Sequence, residues 1–307
     1  MKKIIRIGTR ESQLAVWQAT QVKDLLAEHN YTAELVYIKS EGDIDLKTPL
    51  YEMGVQGIFT RSLDASLLNE RIDVAVHSMK DVPTQLPNGL SQAAVLRRGP
   101  VADLLVIKNN TDFLNDKYGT ATIATSSLRR KAQWLNRYPH HRLENLRGNV
   151  NTRLNKLQAE DWDAAIFAQA GLERIGLRPA NSMTIDWMLP APAQGAIMVM
   201  CRTDDGETLN ACSSLNDTTT ALCTWIERDF LRTLLGGCST PISALAVETN
   251  NKIHFRGNIL SLDGSKKVEV EKSIESANAT ELGKSAAKEL LANGGKMIAE
   301  EIRHAVS

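Results

Sequence analysis

Short apolar runs alternate with amphipathic stripes along the first part of the chain. The runs have the length of strands, and the stripes repeat apolar residues at helical spacing. Ser12 stands directly before the first stripe and is a candidate N-cap. The predicted strands are 4–8, 34–38 and 72–76, and the predicted helices are 14–26 and 60–69. Alternation of this kind is typical of an α/β domain with a mainly parallel sheet.

The same order of elements returns after residue 120. The predicted strands there are 121–124, 142–146 and 163–167, and the predicted helices are 128–136 and 152–158. The correspondence is visible where Ile72-Asp73-Val74 matches Trp162-Asp163-Ala164. We therefore predict two similar α/β domains that face each other across a cleft, with ligands at the carboxyl ends of the strands.

The remainder of the chain predicts a linker, a returning strand and a third domain. Prolines mark residues 189–194 as a linker, and 196–200 predicts a strand that returns to the first domain. After residue 213, a helix, alternating strand patterns and a helix at 281–302 predict a small α+β domain. The predicted domains are 1–98 together with 192–212, then 99–191, and last 213–307.

The charge balance argues against several classes of function. Lysine plus arginine and aspartate plus glutamate each count 36, so no overall basic field recruits nucleic acid or a membrane surface. No apolar run approaches the roughly 20 residues of a membrane helix, and Arg6 interrupts the start too early for a signal peptide. We expect a cytoplasmic protein with free thiols and no metal, because its four cysteines form no C-x-x-C or zinc pattern.

A cysteine stands in a loop-forming stretch near the end of the chain. Gly236 and Gly237 precede Cys238 and Pro241 follows it, a pattern that does not suit the interior of a helix or strand. A thiol in a loop is open to other molecules and suits a chemical role. The alternative is a small buried residue, which is the usual fate of a free cysteine.

Cations and hydroxyls collect in the loops that follow the predicted strands. Guanidinium groups bind carboxylate or phosphate through paired hydrogen bonds, so this set predicts a site for a ligand with several negative groups. The alternative is a set of solvated surface arginines. Asp81 is the lone acid among them and suits proton transfer or stabilisation of a cation, although it could also cap a turn. The set is Arg10, Ser12, Ser78, Lys80, Ser126, Ser127, Arg129, Arg130, Arg147, Arg153 and Arg174.

Five motifs in order resemble the porphobilinogen deaminase family, whose members are also called hydroxymethylbilane synthases. They are Ile7-Gly8-Thr9-Arg10-Glu11-Ser12, His77-Ser78-Met79-Lys80-Asp81-Val82-Pro83, Thr125-Ser126-Ser127-Leu128-Arg129-Arg130, Leu146-Arg147-Gly148-Asn149-Val150-Asn151-Thr152-Arg153-Leu154 and Leu235-Gly236-Gly237-Cys238. The resemblance implies a three-domain enzyme whose first two domains are like periplasmic binding proteins. It implies a transferase of haem biosynthesis that joins four porphobilinogen molecules head to tail, with loss of ammonia, and releases hydroxymethylbilane.

The resemblance also implies roles for particular residues. Cys238 matches the cysteine that holds a dipyrromethane cofactor through a thioether, and Asp81 matches the catalytic aspartate. Each pyrrole carries an acetate and a propionate, and the cation-rich loops match the positions that bind them. The binding residues implied are Arg10, Ser12, Ser78, Lys80, Ser127, Arg129, Arg130, Arg147, Arg153 and Arg174. A monomer is expected on the same ground.

The chain departs from the family pattern at three places. Gln56 stands where the family has a lysine, and the stretch 98–103, which contains Val101, lacks one arginine. Met200 stands where a glutamate is common. These departures leave Asp81 and Cys238 in place, so activity is expected.

Two other classes of protein share some of these features. A non-catalytic, two-lobed polyanion-binding protein would use the same loops but needs neither Asp81 nor the third domain. A hydrolase with a cysteine nucleophile would need a histidine base. His77 is the one histidine in a loop that we place at the cleft.

Overall fold

The computed structural model describes residues 3–39, 60–116, 118–234 and 240–306. The chain divides into two compact units. The first holds the described residues up to 99 together with 195–222. The second holds 100–194 and the described residues from 223 onward. No helix within the described ranges has the length and apolar content needed to cross a membrane.

The predicted elements of both α/β repeats are present, with ends that shift by about two residues or fewer. The strands are β1 (Ile5–Thr9), β2 (Ala33–Tyr37), β3 (Val74–Ser78), β4 (Leu90–Val95), β5 (Asp103–Ile107), β6 (Thr122–Ala124), β7 (Arg142–Glu144), β8 (Ala164–Ala168), β9 (Ser182–Thr184), β10 (Ile197–Arg202), β11 (Ile242–Thr249), β12 (Lys252–Leu260) and β13 (Lys267–Glu275). The helices are α1 (Gln13–Glu28), α2 (Arg61–Leu68), α3 (Leu128–Arg137), α4 (Val150–Ala159), α5 (Gln169–Glu173), α6 (Gly206–Ser213), α7 (Thr218–Leu234), α8 (Leu282–Leu290) and α9 (Lys296–Val306).

The first unit is built on a five-stranded sheet of order β2-β1-β3-β10-β4. Strand β1 is parallel to β2 and β3, whereas β10 is antiparallel to β3 and β4. Helix α1 packs Ala19, Val22 and Leu26 against this sheet. Since β10 lies far along the chain, its position confirms that residues 196–200 return to the first sheet.

The second unit contains a sheet of the same layout, β7-β6-β8-β5-β9. Strand β6 is parallel to β7 and β8, and β5 is antiparallel to β8 and β9. In each sheet, three parallel strands are followed by an antiparallel fourth strand, which is β10 in the first and β5 in the second. The shared layout confirms the α/β class with two similar domains.

In each sheet, an aspartate at the amino end of one parallel strand is hydrogen-bonded to the neighbouring parallel strand. Asp73 lies directly before β3, and its Oδ2 accepts a hydrogen bond from the Arg6 backbone N–H in β1 at 3.0 Å. Asp163 lies directly before β8, and its Oδ2 accepts one from the Thr122 N–H in β6 at 2.7 Å. Burial opposes ionisation of Asp73, but the hydrogen bonds from Arg6 help to outweigh it and hold the pKa of Asp73 well below its usual range.

A three-stranded antiparallel sheet, β11-β12-β13, belongs to the second unit together with α8, α9 and the part of α7 from residue 223 onward. It confirms the predicted α+β character of the C-terminal part. The prediction of one closing helix over 281–302 is wrong, because α8 ends at Leu290 and α9 begins at Lys296. Between them Gly294 has a φ of +105°, which interrupts a regular helix. The boundaries of three separate domains stay a prediction.

The turn between β12 and β13 packs closely against α3. Asn136 Nδ2 of α3 donates a hydrogen bond to the Gly264 carbonyl oxygen at 2.8 Å. Gly264 has a φ of +75°, and a Cβ at this position would lie 2.4 Å from the Ala132 carbonyl oxygen. Glycine therefore fits both the backbone conformation and the narrow gap.

We expect Gly264→Ala to lower the free energy of unfolding by about 3 kcal/mol, because a backbone clash adds to the cost of a left-handed alanine. Gly176→Ala is the matched control. Gly176 has a φ of +66° but no atom within 4 Å of an added Cβ, so we expect a loss of about 1 kcal/mol. Urea unfolding of both variants measures the difference, and equal losses would speak against close packing at residue 264.

Candidate active site

Two neighbouring strands of the first sheet place five of the predicted residues at one edge. Strand β1 ends at Thr9 and β3 ends at Ser78, and the two strands are parallel neighbours. Their carboxyl ends therefore lie side by side, where ligands collect in open α/β sheets. The residues brought together in this way are Arg10, Ser12, Ser78, Lys80 and Asp81.

Helix α1 holds two serines of this edge. Ser12 is its N-cap, as predicted, and its Oγ accepts a hydrogen bond from the Ala15 N–H at 3.4 Å. The Ser78 hydroxyl accepts a hydrogen bond from Gln18 Nε2 at 2.9 Å. Gln18 is buried on α1 and was not identified from the sequence. A polar residue within an apolar helical stripe is the signal that would have found it, because buried polar groups need partners.

Asp81 closes a short turn at the end of β3. Residues Met79–Asp81 form one 3₁₀ turn, in which Met79 is buried. The side chains of Lys80 and Asp81 are partly buried. Within the described part of the chain, no hydrogen bond or ion pair engages the Asp81 carboxyl. The edge therefore places the Asp81 carboxyl group among cations and hydroxyls.

The expectation that His77 lies in a loop is wrong, because His77 is a residue of strand β3. Its side chain is 5% exposed, and its Nε2 has no hydrogen-bond partner among the described residues. Burial lowers the pKa of His77 to about 3, and the positive charge of Arg10 adds to this effect. A buried imidazole with so low a pKa is a poor general base, so the hydrolase alternative loses its candidate.

The buried imidazole predicts a loss of stability in acid. The unfolded chain binds a proton with an ordinary histidine pKa of about 6.5, whereas folded His77 binds one only near 3. The stability is therefore complete above about pH 6.5 and falls below it, by about 2 kcal/mol at pH 5 for this residue.

Urea unfolding between about pH 7 and pH 5 checks this prediction. His77→Met should flatten the pH dependence, and a residual slope is expected from His141, whose pKa burial also lowers. His254→Gln, which changes an exposed histidine, should leave the slope as it is. An unchanged slope in His77→Met would show that this imidazole does not titrate as described.

Three parallel strands of the second sheet carry the remaining predicted cations near their carboxyl ends. Strand β6 leads to Ser127, β7 leads to Arg147, and β8 leads through α5 to Arg174. Because β7, β6 and β8 are parallel neighbours, the loops that follow them form one edge. The residues placed at this edge are Ser127, Arg129, Arg130, Arg147, Arg153 and Arg174.

The loop after β6 is fixed by two serine side chains. Ser127 is the N-cap of α3 and accepts a hydrogen bond from the Arg130 N–H at 3.4 Å. The Ser126 hydroxyl donates a hydrogen bond to the Leu146 carbonyl oxygen, which ties this loop to the one after β7. The start of α3 is therefore held in place, and helix N-termini favour anions.

Arg129 and Arg130 share one buried carboxylate, Asp103 at the start of β5. Arg129 Nη2 lies 2.7 Å from Asp103 Oδ2, and Arg130 Nη2 lies 2.8 Å from Asp103 Oδ1. These two arginines are therefore neither exposed nor solvated, unlike the surface arginines of the alternative interpretation. Asp103 is fully buried, so the pairing offsets part of the cost of burying two guanidinium groups. One positive charge remains in excess, and no residue in the described ranges accepts a hydrogen bond from Arg129 Nε.

The loop after β7 is fixed largely by its own residues. Arg153 Nε donates a hydrogen bond to the Gly148 carbonyl oxygen at 2.7 Å. Gly148 has a φ of +114°, which favours glycine, and Asn149 caps α4 by accepting a hydrogen bond from the Thr152 N–H at 2.9 Å. Arg147 is buried at the start of the same turn. Two guanidinium groups are therefore anchored within one short stretch.

Cys238 and Gln56 lie outside the described residues. The cysteines at 201, 212 and 223 are buried, and no disulfide joins them within the described part of the chain. Burial raises the pKa of Cys201 to about 11 and that of Cys212 to about 12, so neither is a thiolate at neutral pH. These two thiols are therefore unsuited to nucleophilic attachment of a ligand.

Two departures from the family pattern lie in described segments. Met200 is fully buried in β10, where an apolar side chain suits the core. The Val101 carbonyl oxygen accepts a hydrogen bond from Gln194 Nε2 at 2.7 Å. This contact of residue 101 is made by its backbone and does not depend on the side chain that the family usually has there.

The donor set of each edge fits a ligand that carries several carboxylates. Guanidinium groups donate paired, parallel hydrogen bonds that match a carboxylate. Burial lowers the pKa of Arg174 to about 10, so its guanidinium keeps its charge at neutral pH. Cations of this kind suit the acetate and propionate groups of linked pyrroles.

Comparison with known proteins gives one consistent match along the chain. A family model described as the porphobilinogen deaminase dipyromethane cofactor binding domain matches residues 5–210. A second, described as the porphobilinogen deaminase C-terminal domain, matches residues 221–292. A curated porphobilinogen deaminase from Desulforamulus reducens is 42% identical over 307 residues, which cover 99% of each of the two chains.

Solved structures of solute-binding proteins are more distantly similar. An ancestral cationic amino acid solute-binding protein is 14% identical, with a TM-score of 0.45 over 69% of this chain and 87% of its own. A periplasmic substrate-binding protein of an ABC transporter from Coxiella burnetii is 14% identical. Its TM-score is 0.43 over 71% of this chain and 94% of its own.

Proposed function

Because the chain belongs to the porphobilinogen deaminase family, we propose that Asp81 is its catalytic acid and base and that Cys238 holds its cofactor. The enzyme joins four porphobilinogen molecules head to tail on a dipyrromethane primer, with loss of ammonia at each step. It then releases hydroxymethylbilane for haem biosynthesis. This reaction needs carboxylate binders, a group that moves protons and a point of attachment for the primer.

The position of Asp81 is the observation that supports its role most directly. Asp81 follows β3, which is the parallel neighbour of β1, and β1 leads to Arg10. It is the lone acid in the predicted set at this edge, and no described residue engages its carboxyl. The carboxyl is therefore available to exchange a proton with a substrate amine.

Proton transfer explains how Asp81 assists the loss of ammonia. An amine is a good leaving group only when it is protonated, and a carboxyl within hydrogen-bond reach supplies or retains that proton. Once ionised, the same carboxylate stabilises positive charge that develops on the substrate pyrrole after ammonia has left. One group thus serves both halves of the step.

The two sheet edges hold the acetate and propionate groups. The binding residues are Arg10, Ser12, Ser78 and Lys80 in the first unit, and Ser127, Arg129, Arg130, Arg147, Arg153 and Arg174 in the second. Dipyrromethane, when bound, supplies the pyrrole carbon to which the first substrate is joined. Cys238 holds it through sulfur, because a thiolate is a strong nucleophile toward carbon and forms a stable thioether.

The mass of the intact, denatured protein tests this function. We expect the purified protein to carry an excess mass of two linked pyrrole units. Brief addition of porphobilinogen should then add further pyrrole units one at a time, because the growing chain stays attached. A mass without the excess, and unchanged after porphobilinogen is added, would refute the proposal and favour a non-catalytic polyanion-binding protein.

Three further properties stay predictions. They are a cytoplasmic location, a monomeric state, and the absence of nucleic-acid and membrane partners. Light scattering of the purified protein measures the oligomeric state. A mass of twice that of the chain would show that the prediction of a monomer is wrong.

A further inference from the structure

A buried glutamine joins three separate segments of the second unit. Gln133 of α3 donates hydrogen bonds from Nε2 to the Leu189 carbonyl oxygen at 2.9 Å and to Ser243 Oγ at 3.0 Å. Its Oε1 accepts a hydrogen bond from the Leu189 N–H at 2.9 Å. The three residues are 5%, 6% and 0% exposed, in the order Gln133, Leu189 and Ser243. The amide therefore ties α3 to the linker at 189–194 and to strand β11, away from water.

The same carbonyl oxygen connects Gln133 to the buried arginine pair. Arg129 Nη1 donates a hydrogen bond to the Leu189 carbonyl oxygen at 2.7 Å, one helical turn before Gln133. Arg129 also binds Asp103, and Asp103 binds Arg130. A continuous buried polar network thus runs from β11 to the arginine pair.

We propose that Gln133 is a positioning residue, which sets the arginine pair at a fixed place relative to strand β11. Ser243 lies five residues after Cys238, so Gln133 holds the strand that leads away from the cofactor cysteine. Arg129 lies four residues before Gln133 on the same helix. The inference rests on the proposed roles of Cys238 and of the arginine pair. It makes α3 the spacer between strand β11 and the carboxylate binders.

A glutamine side chain suits position 133 because the Leu189 backbone presents both a donor, its N–H, and an acceptor, its carbonyl oxygen. Glutamine offers one group of each kind, whereas an aliphatic side chain offers neither. Loss of the amide leaves the Leu189 N–H and the Ser243 hydroxyl without their partner. It also removes one of the two hydrogen bonds that hold the Leu189 carbonyl oxygen, which orients Arg129. A buried network holds its members in one arrangement only while its groups are paired.

The test compares Gln133→Leu and Ser243→Ala with Asn136→Ala in cofactor-loaded enzyme. Asn136 is the matched control, because it lies on the same helix and bonds to Gly264 rather than to the linker. Gln133→Leu should raise the KM for porphobilinogen about tenfold, with a smaller change in kcat, because it displaces groups that bind carboxylates. Ser243→Ala removes one of three bonds and should raise KM about threefold, while Asn136→Ala should leave KM unchanged.

Masses and melting temperatures separate a positioning role from a purely structural one. All three variants should melt below the wild type, but only Gln133→Leu and Ser243→Ala should also lower the fraction of molecules that carry dipyrromethane. The double variant of Gln133 and Ser243 should have the KM of Gln133→Leu alone, because the two residues act through one contact.

An unchanged KM and unchanged cofactor loading in Gln133→Leu, with a melting temperature as low as that of Asn136→Ala, would overturn the proposal. If Gln133→Leu does not fold, an unchanged KM in Ser243→Ala would overturn it in the same way. Wild-type protein without the mass of dipyrromethane would instead contradict the role of Cys238, so the two failures are distinguishable.

Discussion

Asp81→Asn is expected to leave the protein folded while turnover of porphobilinogen falls by at least about 10³-fold. Asparagine keeps the shape of the side chain, but it neither carries the proton nor opposes a positive charge. The 3₁₀ turn at Met79–Asp81 should survive, because no hydrogen bond among the described residues engages the carboxyl. The rate of product formation and the melting temperature, measured on the same preparation, check both parts of the expectation.

Asp112→Asn is the control for this substitution. Asp112 is an exposed aspartate in another short 3₁₀ turn, Asp112–Leu114 in the second unit. Its replacement should change neither turnover nor melting temperature. Near-normal turnover in folded Asp81→Asn would remove Asp81 from the mechanism, and equal losses in both variants would point to a general effect on the fold.

Cys238→Ser is expected to abolish attachment of the cofactor, and turnover with it. A serine hydroxyl is a far weaker nucleophile than a thiolate at neutral pH. Other thiols should not replace it, because Cys201 and Cys212 are buried and burial raises their pKa values to about 11 and about 12. The denatured mass of the variant should equal that of the bare chain.

Cys201→Ser is the control for the attachment site. Its mass should still include two linked pyrrole units, although the loss of a buried thiol should lower stability slightly. An excess mass that persists in Cys238→Ser, and that peptide mapping places on another cysteine, would show that the assigned site is wrong.

Local signals account for what the sequence predicts well. A serine before an apolar stripe identifies the N-cap at Ser12, because capping depends on residues within one turn. The strands of both repeats follow from runs of apolar residues and from the correspondence around Asp73 and Asp163. The returning strand β10 follows from its apolar sequence after a proline-rich linker. Each of these inferences uses either neighbours in the chain or the repetition of a local pattern.

Long-range contacts account for what the sequence does not predict. Nothing in the spacing connects Asp103 with Arg129, so the arginines appear unpaired until the sheet brings β5 beside β8. Gln133 resembles a solvated helix residue until the linker and β11 cover it. His77 reads as the first residue of a loop because the strand extends further than its apolar run. These features depend on packing between segments, which no local pattern reveals.

The two aspartates that join parallel strands lie away from the ligand loops. Asp73 and Asp163 act at the amino ends of the parallel strands, whereas the residues proposed to bind ligand lie near the carboxyl ends. A substitution in a loop that follows these strands therefore leaves the aspartate contact of its sheet intact. In each half, the contact that fixes strand register is separate from the side chains that set the chemistry, so the loops are the part of each sheet that tolerates redesign.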